Sequence, residues 1–234
     1  MYSIPPLFKF NPYMSQKLPL LSLFLSLLLL LCSSSDPDPV QDFCIPEPGP
    51  GPVRLTHLPT YPCKSPANVT SNDFVFSNLT SPPSSNFSPS TGFSGKAVTP
   101  VEFPALHTLG MSFARADFLP SGVNPPHYHP RATETALVVE GTVYSGFVDS
   151  GGRIFAKVLE KGEVMVFPRG MIHFQMNVGE GRASIFGTFN SENPGLVRIP
   201  GTVFGSGIKE ELLEKAFGLS EKEVERLRRR FGSM

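Results

Sequence analysis

The chain has 234 residues, 40% of them hydrophobic, which is enough for one medium-sized domain with a substantial core. Its 20 basic and 20 acidic side chains give a formal net charge of zero, and only 17% of the residues are charged. Because the sequence has no basic stripe and no basic amphipathic helix, neither a nucleic acid nor a membrane surface is an expected partner.

Residues 1–35 have the composition of a secretory signal peptide. Lys9 and Lys17 precede an apolar run at 18–31, and small residues at 33–35 offer a cleavage site. The run is shorter than the roughly 20 residues that a membrane-spanning helix needs. We therefore expect export to the extracellular space and no membrane span after cleavage.

Residues 36–100 are predicted to be an irregular N-terminal extension, because they are rich in proline, serine, asparagine and threonine and show little periodicity. Cys44 and Cys63 remain once Cys32, at the edge of the signal peptide, is set aside. In a secreted protein such a pair is typical of a disulfide, and two free thiols or a metal pair are weaker alternatives. Glycosylation is predicted at three sequons, which begin at Asn68, Asn78 and Asn86.

Residues 101–205 are predicted to form an all-β jelly-roll barrel. Short apolar runs of strand length recur here between turn signals, which is typical of an antiparallel sandwich or barrel. Closing the sheet into a barrel removes exposed strand edges. The runs are ETALVVEG, VYSGFVD, RIFAKVLE, VMVFP, IHFQMNV and RASIFGTF.

Two stretches of this region carry candidate metal ligands. His127 and His129 are two residues apart, so an extended strand would direct both imidazoles to one face. Glu134 lies at an odd offset from them, and a bend at residues 130–133 is needed to bring its carboxylate round. His173 follows a Pro-x-Gly turn in residues 162–177. We expect His173 on a strand that faces His127 and His129 across the barrel.

The metal prediction depends on the combination of three histidines and one carboxylate, because a His-x-His pair alone usually marks two ordinary histidines. Such a set suits Mn, Fe, Zn, Ni or Cu ions, and a closed structural zinc site is an alternative. His57 and His107 have no similar setting and are predicted to be surface or packing residues.

Residues 206–234 are predicted to form two C-terminal helices. The first lies in KEELLEKAFG and ends at Gly218, and the second begins at Ser220, which with Glu223 matches a capping box. Each helix has an apolar face that packs on its own barrel or on a partner. The apolar residues are Leu212, Leu213, Ala216 and Phe217 in the first helix and Val224, Leu227 and Phe231 in the second.

The two histidine stretches resemble the two motifs of the cupin superfamily. More narrowly, NPPHYHPRATE and PRGMIHFQMN resemble the germins and germin-like proteins of plants. The opening glycine of the first cupin motif is replaced by Ser121. The positions that match are His127, His129, Glu134 and Gly141 in the first motif and Gly162, Pro168, Gly170, His173 and Asn177 in the second.

The resemblance implies a cupin jelly-roll that binds Mn(II) through His127, His129, Glu134 and His173. It implies a homohexamer, a trimer of dimers joined in part by the C-terminal helices, in the apoplast or cell wall. Asn124 matches an asparagine that borders the substrate space in germin oxalate oxidases, while the companion asparagine falls at Ala114.

Three functions follow from these expectations. The first is a secreted manganese protein with superoxide dismutase-type activity, for which a small substrate needs no elaborate pocket. The second is a non-enzymatic, metal-holding structural or receptor-like protein of the wall. The third is an oxalate oxidase, which the missing amide at Ala114 disfavours. One barrel hosts many activities, so the site must decide between them.

Overall fold

The computed structural model describes residues 41–47, 63–82 and 86–232. The predicted signal peptide at 1–35 lies outside the described residues. None of the helices within the described ranges has the length and apolar character that crossing a bilayer requires.

Two five-stranded antiparallel sheets form the body of the molecule. The first sheet has the strand order β1-β2-β9-β4-β7 and the second has the order β10-β3-β8-β5-β6. The strands are β1 (Phe93–Val98), β2 (Ser112–Phe118), β3 (Val123–Tyr128), β4 (Glu134–Glu140), β5 (Thr142–Val148), β6 (Ile154–Glu160), β7 (Val164–Phe167), β8 (Ile172–Asn177), β9 (Ala183–Phe189) and β10 (Val197–Arg198).

The core lies between the two sheets and draws on both of them. Alternate residues of β4, beginning at Glu134, point inward and their neighbours point outward, as the period of two in a strand requires. The buried apolar cluster consists of Phe118, Ala136, Val138, Val143, Leu159, Phe167, Ala183 and Ile185. The predicted all-β jelly-roll is confirmed.

The first strand of the sheets, β1, begins at Phe93, within the segment 36–100. Upstream of it the described chain is irregular, with short 3-10 helices at Pro66–Asn68 and Ser71–Phe74. Cys44 and Cys63 form a disulfide with their Cα atoms 5.0 Å apart, so the predicted pairing is present. A third 3-10 helix, Pro104–Leu106, lies between β1 and β2.

Three helices follow the last strand: α1 (Ile199–Phe204), α2 (Glu210–Phe217) and α3 (Glu221–Phe231). Gly218 ends α2 in the left-handed conformation, which a glycine adopts without a steric penalty. At the start of α3, the Ser220 N–H donates to Glu223 Oε2 at 2.8 Å, as in the predicted capping box. Of the four apolar residues expected on one face of α2, only Leu213 is buried.

Candidate metal centre

The four predicted ligands come from both sheets. His127 on β3 lies directly opposite His173 on β8, and these two strands are neighbours in the second sheet. His129 follows the end of β3, and Glu134 begins β4 in the first sheet. The expectation that His173 faces the other histidines across the barrel is therefore wrong. Glu134 is the ligand supplied from the facing sheet, because the chain changes sheets between His129 and Glu134.

The odd offset of Glu134 is explained by this change of sheet. The register of β3 and β8 is irregular between Asn124 and His127, and β3 ends at Tyr128. The chain then leaves the sheet through Pro130, which cannot donate a ladder hydrogen bond. The interruption that the sequence required at residues 130–133 is present, and it carries the Glu134 carboxylate to the same point as the imidazoles.

All four side chains are buried, and one ligand atom from each lies within 4.8 Å of the ligand atoms of the others. The Nε2 atoms of His129 and His173 are each 3.1 Å from Glu134 Oε2. The ring centroids of His127 and His173 are 4.2 Å apart. The described residues thus bring together the whole set that was predicted from the sequence.

Backbone carbonyls fix the orientation of all three imidazoles. His127 Nδ1 donates to Pro125 O at 2.8 Å and His173 Nδ1 donates to Met171 O at 2.9 Å. His129 Nδ1 donates to Gly195 O. A carbonyl oxygen can only accept, so each Nδ1 carries the proton and each Nε2 of a neutral ring presents its lone pair to the centre. Such outer hydrogen bonds are typical of metal-binding histidines.

Burial and local charge set the ionisation of the cluster. Burial, followed by the charge of His173, lowers the pKa of His127 to about 3, so this imidazole is neutral at neutral pH. Burial alone would raise the pKa of Glu134, but hydrogen bonds and charges from His129 and His173 together outweigh it. They lower the pKa of Glu134 to about 2 and keep it ionised.

Aromatic rings and one glycine shape the space around the ligands. Phe167 stacks on His173 with centroids 4.4 Å apart, and Phe189 lies 4.6 Å from His129. A Cβ at Gly187 would lie 3.0 Å from Glu134 Oε1, so the absence of a side chain there leaves room for the carboxylate. The ligands are held in place and shielded from bulk water.

The donor set fits a metal ion. Because each Nδ1 is held by a carbonyl, each Nε2 can act as a ligand once it has lost its proton, and the three Nε2 atoms and the Glu134 carboxylate converge on one buried point. A buried group of this kind requires a compensating cation. A divalent ion satisfies all four at once, and the imidazole and carboxylate ligands admit several transition metals.

A cavity of about 340 Å³ reaches this cluster and is lined by both apolar and polar residues. Asn124, predicted to border the substrate space, lines it, and so does Ala114. The Asn124 amide donates to Gln175 Oε1 at 2.7 Å, and Gln175 Nε2 has no hydrogen-bond partner among the described residues. Sequence reasoning missed Gln175. Its position two residues after His173, on the same strand face, is the signal that could have found it.

Two motif positions have a structural role. Ser121, which replaces the first motif's opening glycine, has φ 60°, so its left-handed conformation explains the glycine in the pattern. Asn177 is buried and its Nδ2 donates to the backbone oxygens of Leu119 and Gly181, which joins two turns. Neither residue belongs to the ligand cluster.

The remaining predicted sites lie away from the cluster. His107 contacts Glu192 at 3.4 Å instead of joining the ligands, and His57 lies outside the described residues. The three predicted glycosylation sites, Asn68, Asn78 and Asn86, all have exposed side chains.

Comparison with known proteins gives a consistent result. The profile of the Cupin family matches residues 77–225. Germin-like protein 2-4 of Oryza sativa subsp. japonica is 65% identical over 215 residues, covering 91% of this chain and 93% of that protein. Germin-like protein subfamily 3 member 2 of Arabidopsis thaliana is 56% identical, covering 88% and 93%.

Solved structures resemble the chain as well. A recombinant oxalate oxidase in complex with glycolate superposes with a TM-score of 0.77 and 37% sequence identity. The match covers 85% of this chain and 99% of that one.

Proposed function

The chain belongs to the germin-like proteins of the cupin family, and we propose that it is a secreted manganese protein of the apoplast or cell wall with superoxide dismutase-type activity. The observation that carries the proposal is the convergence of three imidazole Nε2 atoms and one carboxylate on a single buried point. His127, His129, Glu134 and His173 would hold the ion.

The chemistry of the proposed reaction is simple. Manganese, when bound, supplies two oxidation states, so that one superoxide is oxidised to dioxygen and a second, with two protons, is reduced to hydrogen peroxide. The ionised Glu134 offsets one charge of a divalent ion, and neutral imidazoles add none. The cavity that reaches His129 and Glu134 gives a small anion access to the centre.

A non-enzymatic metal protein is the second candidate. The buried cluster and its carbonyl-bound histidines would hold an ion equally well without turnover. Within the cavity lining, the side chains of Phe113, Ile185 and Phe189 offer no hydrogen-bonding group to a substrate. This observation keeps a structural or receptor-like role in the wall as the alternative.

Oxalate oxidation ranks third, although an oxalate oxidase is among the similar solved structures. Ala114 lines the cavity at the position where the resemblance would place a second asparagine. The amide of Gln175 is available in the same cavity, but it comes from β8, a strand of the opposite sheet from Ala114 on β2. A dicarboxylate therefore lacks one of its expected contacts.

A homohexamer built as a trimer of dimers is part of the proposal. On the outer face of the second sheet, Met176, Tyr144 and Val158 lie in one row across β8, β5 and β6. Ile172, Val148 and Ile154 form a parallel row, and Ile154 and Val158 are 55% and 47% exposed. Large exposed apolar patches mark interaction sites. The partner that covers this patch is a second copy of the chain, which presents the same face.

Secretion is supported by the disulfide, which persists in an oxidising compartment, and by the exposure of the three sequons. Export and glycosylation are tested by expressing the full sequence in plant cells. We expect the protein in the culture medium, with a mass that falls after enzymatic deglycosylation.

The function is tested by assaying the purified secreted protein for bound metals, superoxide loss and oxalate-dependent peroxide. We expect one manganese per chain and superoxide loss, both absent in His129→Ala. Stoichiometric metal with neither activity would favour the structural role, and substantial peroxide from oxalate would overturn the ranking. In Ala114→Asn we expect oxalate turnover to appear, because the substitution supplies the missing amide.

A further inference from the structure

One of the three imidazoles is oriented differently from the others. His127 and His173 donate to the carbonyls of Pro125 and Met171, each two residues earlier in the chain. His129 instead donates to Gly195 O, 66 residues further along the chain. The orientation of His129 therefore depends on the placement of a separate loop, residues 190–196, which follows β9.

Arg131 fastens this loop to the segment that carries His129. Its Nε donates to Asn193 O and its Nη2 donates to Asn193 Oδ1, both at 2.6 Å. The Arg131 backbone N–H donates to Pro194 O at 3.1 Å. We call the two side-chain bonds between Arg131 and Asn193 the clasp. They fix the loop at Asn193, two residues before Gly195.

The loop approaches the His129 segment too closely for a side chain at its apex. Gly195 has φ 68°, and a Cβ there would lie 2.9 Å from both Arg131 Nη2 and Pro130 Cγ. The Gly195 carbonyl reaches His129 because the backbone is held in this close position, and the clasp is one of the contacts that hold it there. Asn193, Pro194 and Gly195 also line the cavity that leads to the ligand cluster.

We propose that the clasp between Arg131 and Asn193 positions the metal ligand His129, and that it controls how fast the metal ion leaves. The inference rests on the proposed metal site. Loss of the clasp loosens the loop near Gly195, where the bond from the Arg131 N–H to Pro194 O remains, and with it the carbonyl that holds the Nδ1 proton of His129. His127 and His173 are unaffected, because their carbonyl partners are two residues away in the chain and do not belong to the loop.

The clasp is suited to a positioning role because it lies at the surface. Arg131 and Asn193 are both exposed, so their bonds contribute little to folding. Replacing a hydrogen-bond partner of a metal ligand typically lowers metal affinity 10- to 100-fold. Metal release should therefore respond to the clasp far more strongly than folding does.

The test measures release of Mn(II) from the loaded full-length protein into excess chelator. We expect Arg131→Met and Arg131→Lys to release the metal at least ~10-fold faster than the wild type. Arg131→Lys should not restore slow release, because a single ammonium group cannot bond both Asn193 oxygens in the way that the two guanidinium N–H groups do. Asn193→Asp keeps both acceptors and should retain slow release, whereas Asn193→Ala loses one bond and should accelerate it.

Arg228→Met is the matched control. Arg228 likewise bridges a backbone carbonyl, that of Ile208, and a side-chain oxygen, that of Glu210, but it lies on α3 and does not line the cavity. We expect wild-type release from it. The melting temperature of the metal-free Arg131→Met protein should fall no further than that of Arg228→Met.

The outcomes separate the clasp from the metal site. Wild-type release rates in Arg131→Met and Asn193→Ala, with metal held normally, would overturn the clasp alone. Faster release together with a melting temperature of metal-free Arg131→Met well below that of Arg228→Met would assign Arg131 a purely structural role. That result would also overturn the proposed role of the clasp. A wild-type protein that retains no Mn(II) would overturn the proposed function itself.

Discussion

The three imidazoles of the cluster are oriented at Nδ1 by the backbone and not by other side chains. Each Nδ1 proton is held by a backbone carbonyl, from Pro125, Met171 or Gly195. The Nε2 lone pairs therefore point at the centre without help from the ion, which lowers the reorganisation that binding requires. Phe167 and Phe189 restrict two of the rings further.

This arrangement makes the metal-free protein sensitive to acid. His127 has a pKa of about 3 in the folded chain and a reference value of 6.5, so below about pH 6.5 the unfolded chain binds a proton that the folded chain does not. Glu134 likewise binds a proton in the unfolded chain but not in the folded chain, between its reference pKa of 4.5 and its folded pKa of about 2. Stability is thus greatest above pH 6.5 and falls as the pH decreases.

The measurement is denaturant unfolding of the metal-free protein at pH 7, 6 and 5. We expect the free energy of unfolding to decrease by up to about 1.4 kcal/mol per pH unit below pH 6, as linkage to one proton gives. His127→Gln carries no titratable ring and should flatten the dependence. An equally steep decrease in that variant would show that His127 is not its source.

The four ligands could be predicted from the sequence because histidine and glutamate at motif spacing carry a residue-type signal. Gly195 could not, because it acts through a carbonyl that every residue possesses. Strand periodicity could have identified Gln175, but nothing in the sequence indicates that this residue lines a cavity. Residue types reveal ligands more readily than they reveal the groups that orient them.

At the scale of elements, strands that form apolar runs between turn signals were predictable, and a strand without such a run was not. β4 alternates between inward and outward residues and was predicted, whereas β1 contains Gly95 and Lys96 and was assigned to the extension. The pairing of the strands could not be predicted either, because β3 pairs with β8, which lies far from it in the chain. That missing pairing is why His173 was expected on the wrong side.

The disulfide tests the element-level account of the N-terminal segment. It closes a loop of 19 residues, which corresponds to about 3 kcal/mol in the chain-entropy estimate. We expect the Cys44→Ser, Cys63→Ser double variant to lose about this much free energy of unfolding, measured by denaturant titration. Its metal content should equal that of the wild type, because no ligand lies in this segment. Unchanged stability would show that the bridge does not constrain the chain.

At the scale of the whole molecule, β8 reverses the usual rule of burial. Its polar residues His173, Gln175 and Asn177 are buried, while Ile172 and Met176 are 38% exposed. The inward face serves the ligand cluster and the outward face is left apolar. A strand of this kind is stable in water only if its outer face is covered, which favours assembly.

The assembly is tested by placing charge on that face. Ile172→Asp with Met176→Asp should convert the expected hexamer into smaller species, measured by light scattering after size-exclusion chromatography, because buried unpaired carboxylates are costly. Val101→Asp is the control, since Val101 is 55% exposed and lies outside the sheets. An unchanged mass in the double variant would exclude this face as an interface.

The central claim is that four side chains from two sheets hold one metal ion. The most direct measurement is X-ray absorption at the metal edge of the purified full-length protein, combined with metal analysis. We expect about one manganese per chain, with outer-shell scattering from three imidazoles in the wild type and from two or fewer, at reduced occupancy, in His129→Ala. A wild-type protein without stoichiometric metal, or with metal that lacks imidazole scattering, would contradict it.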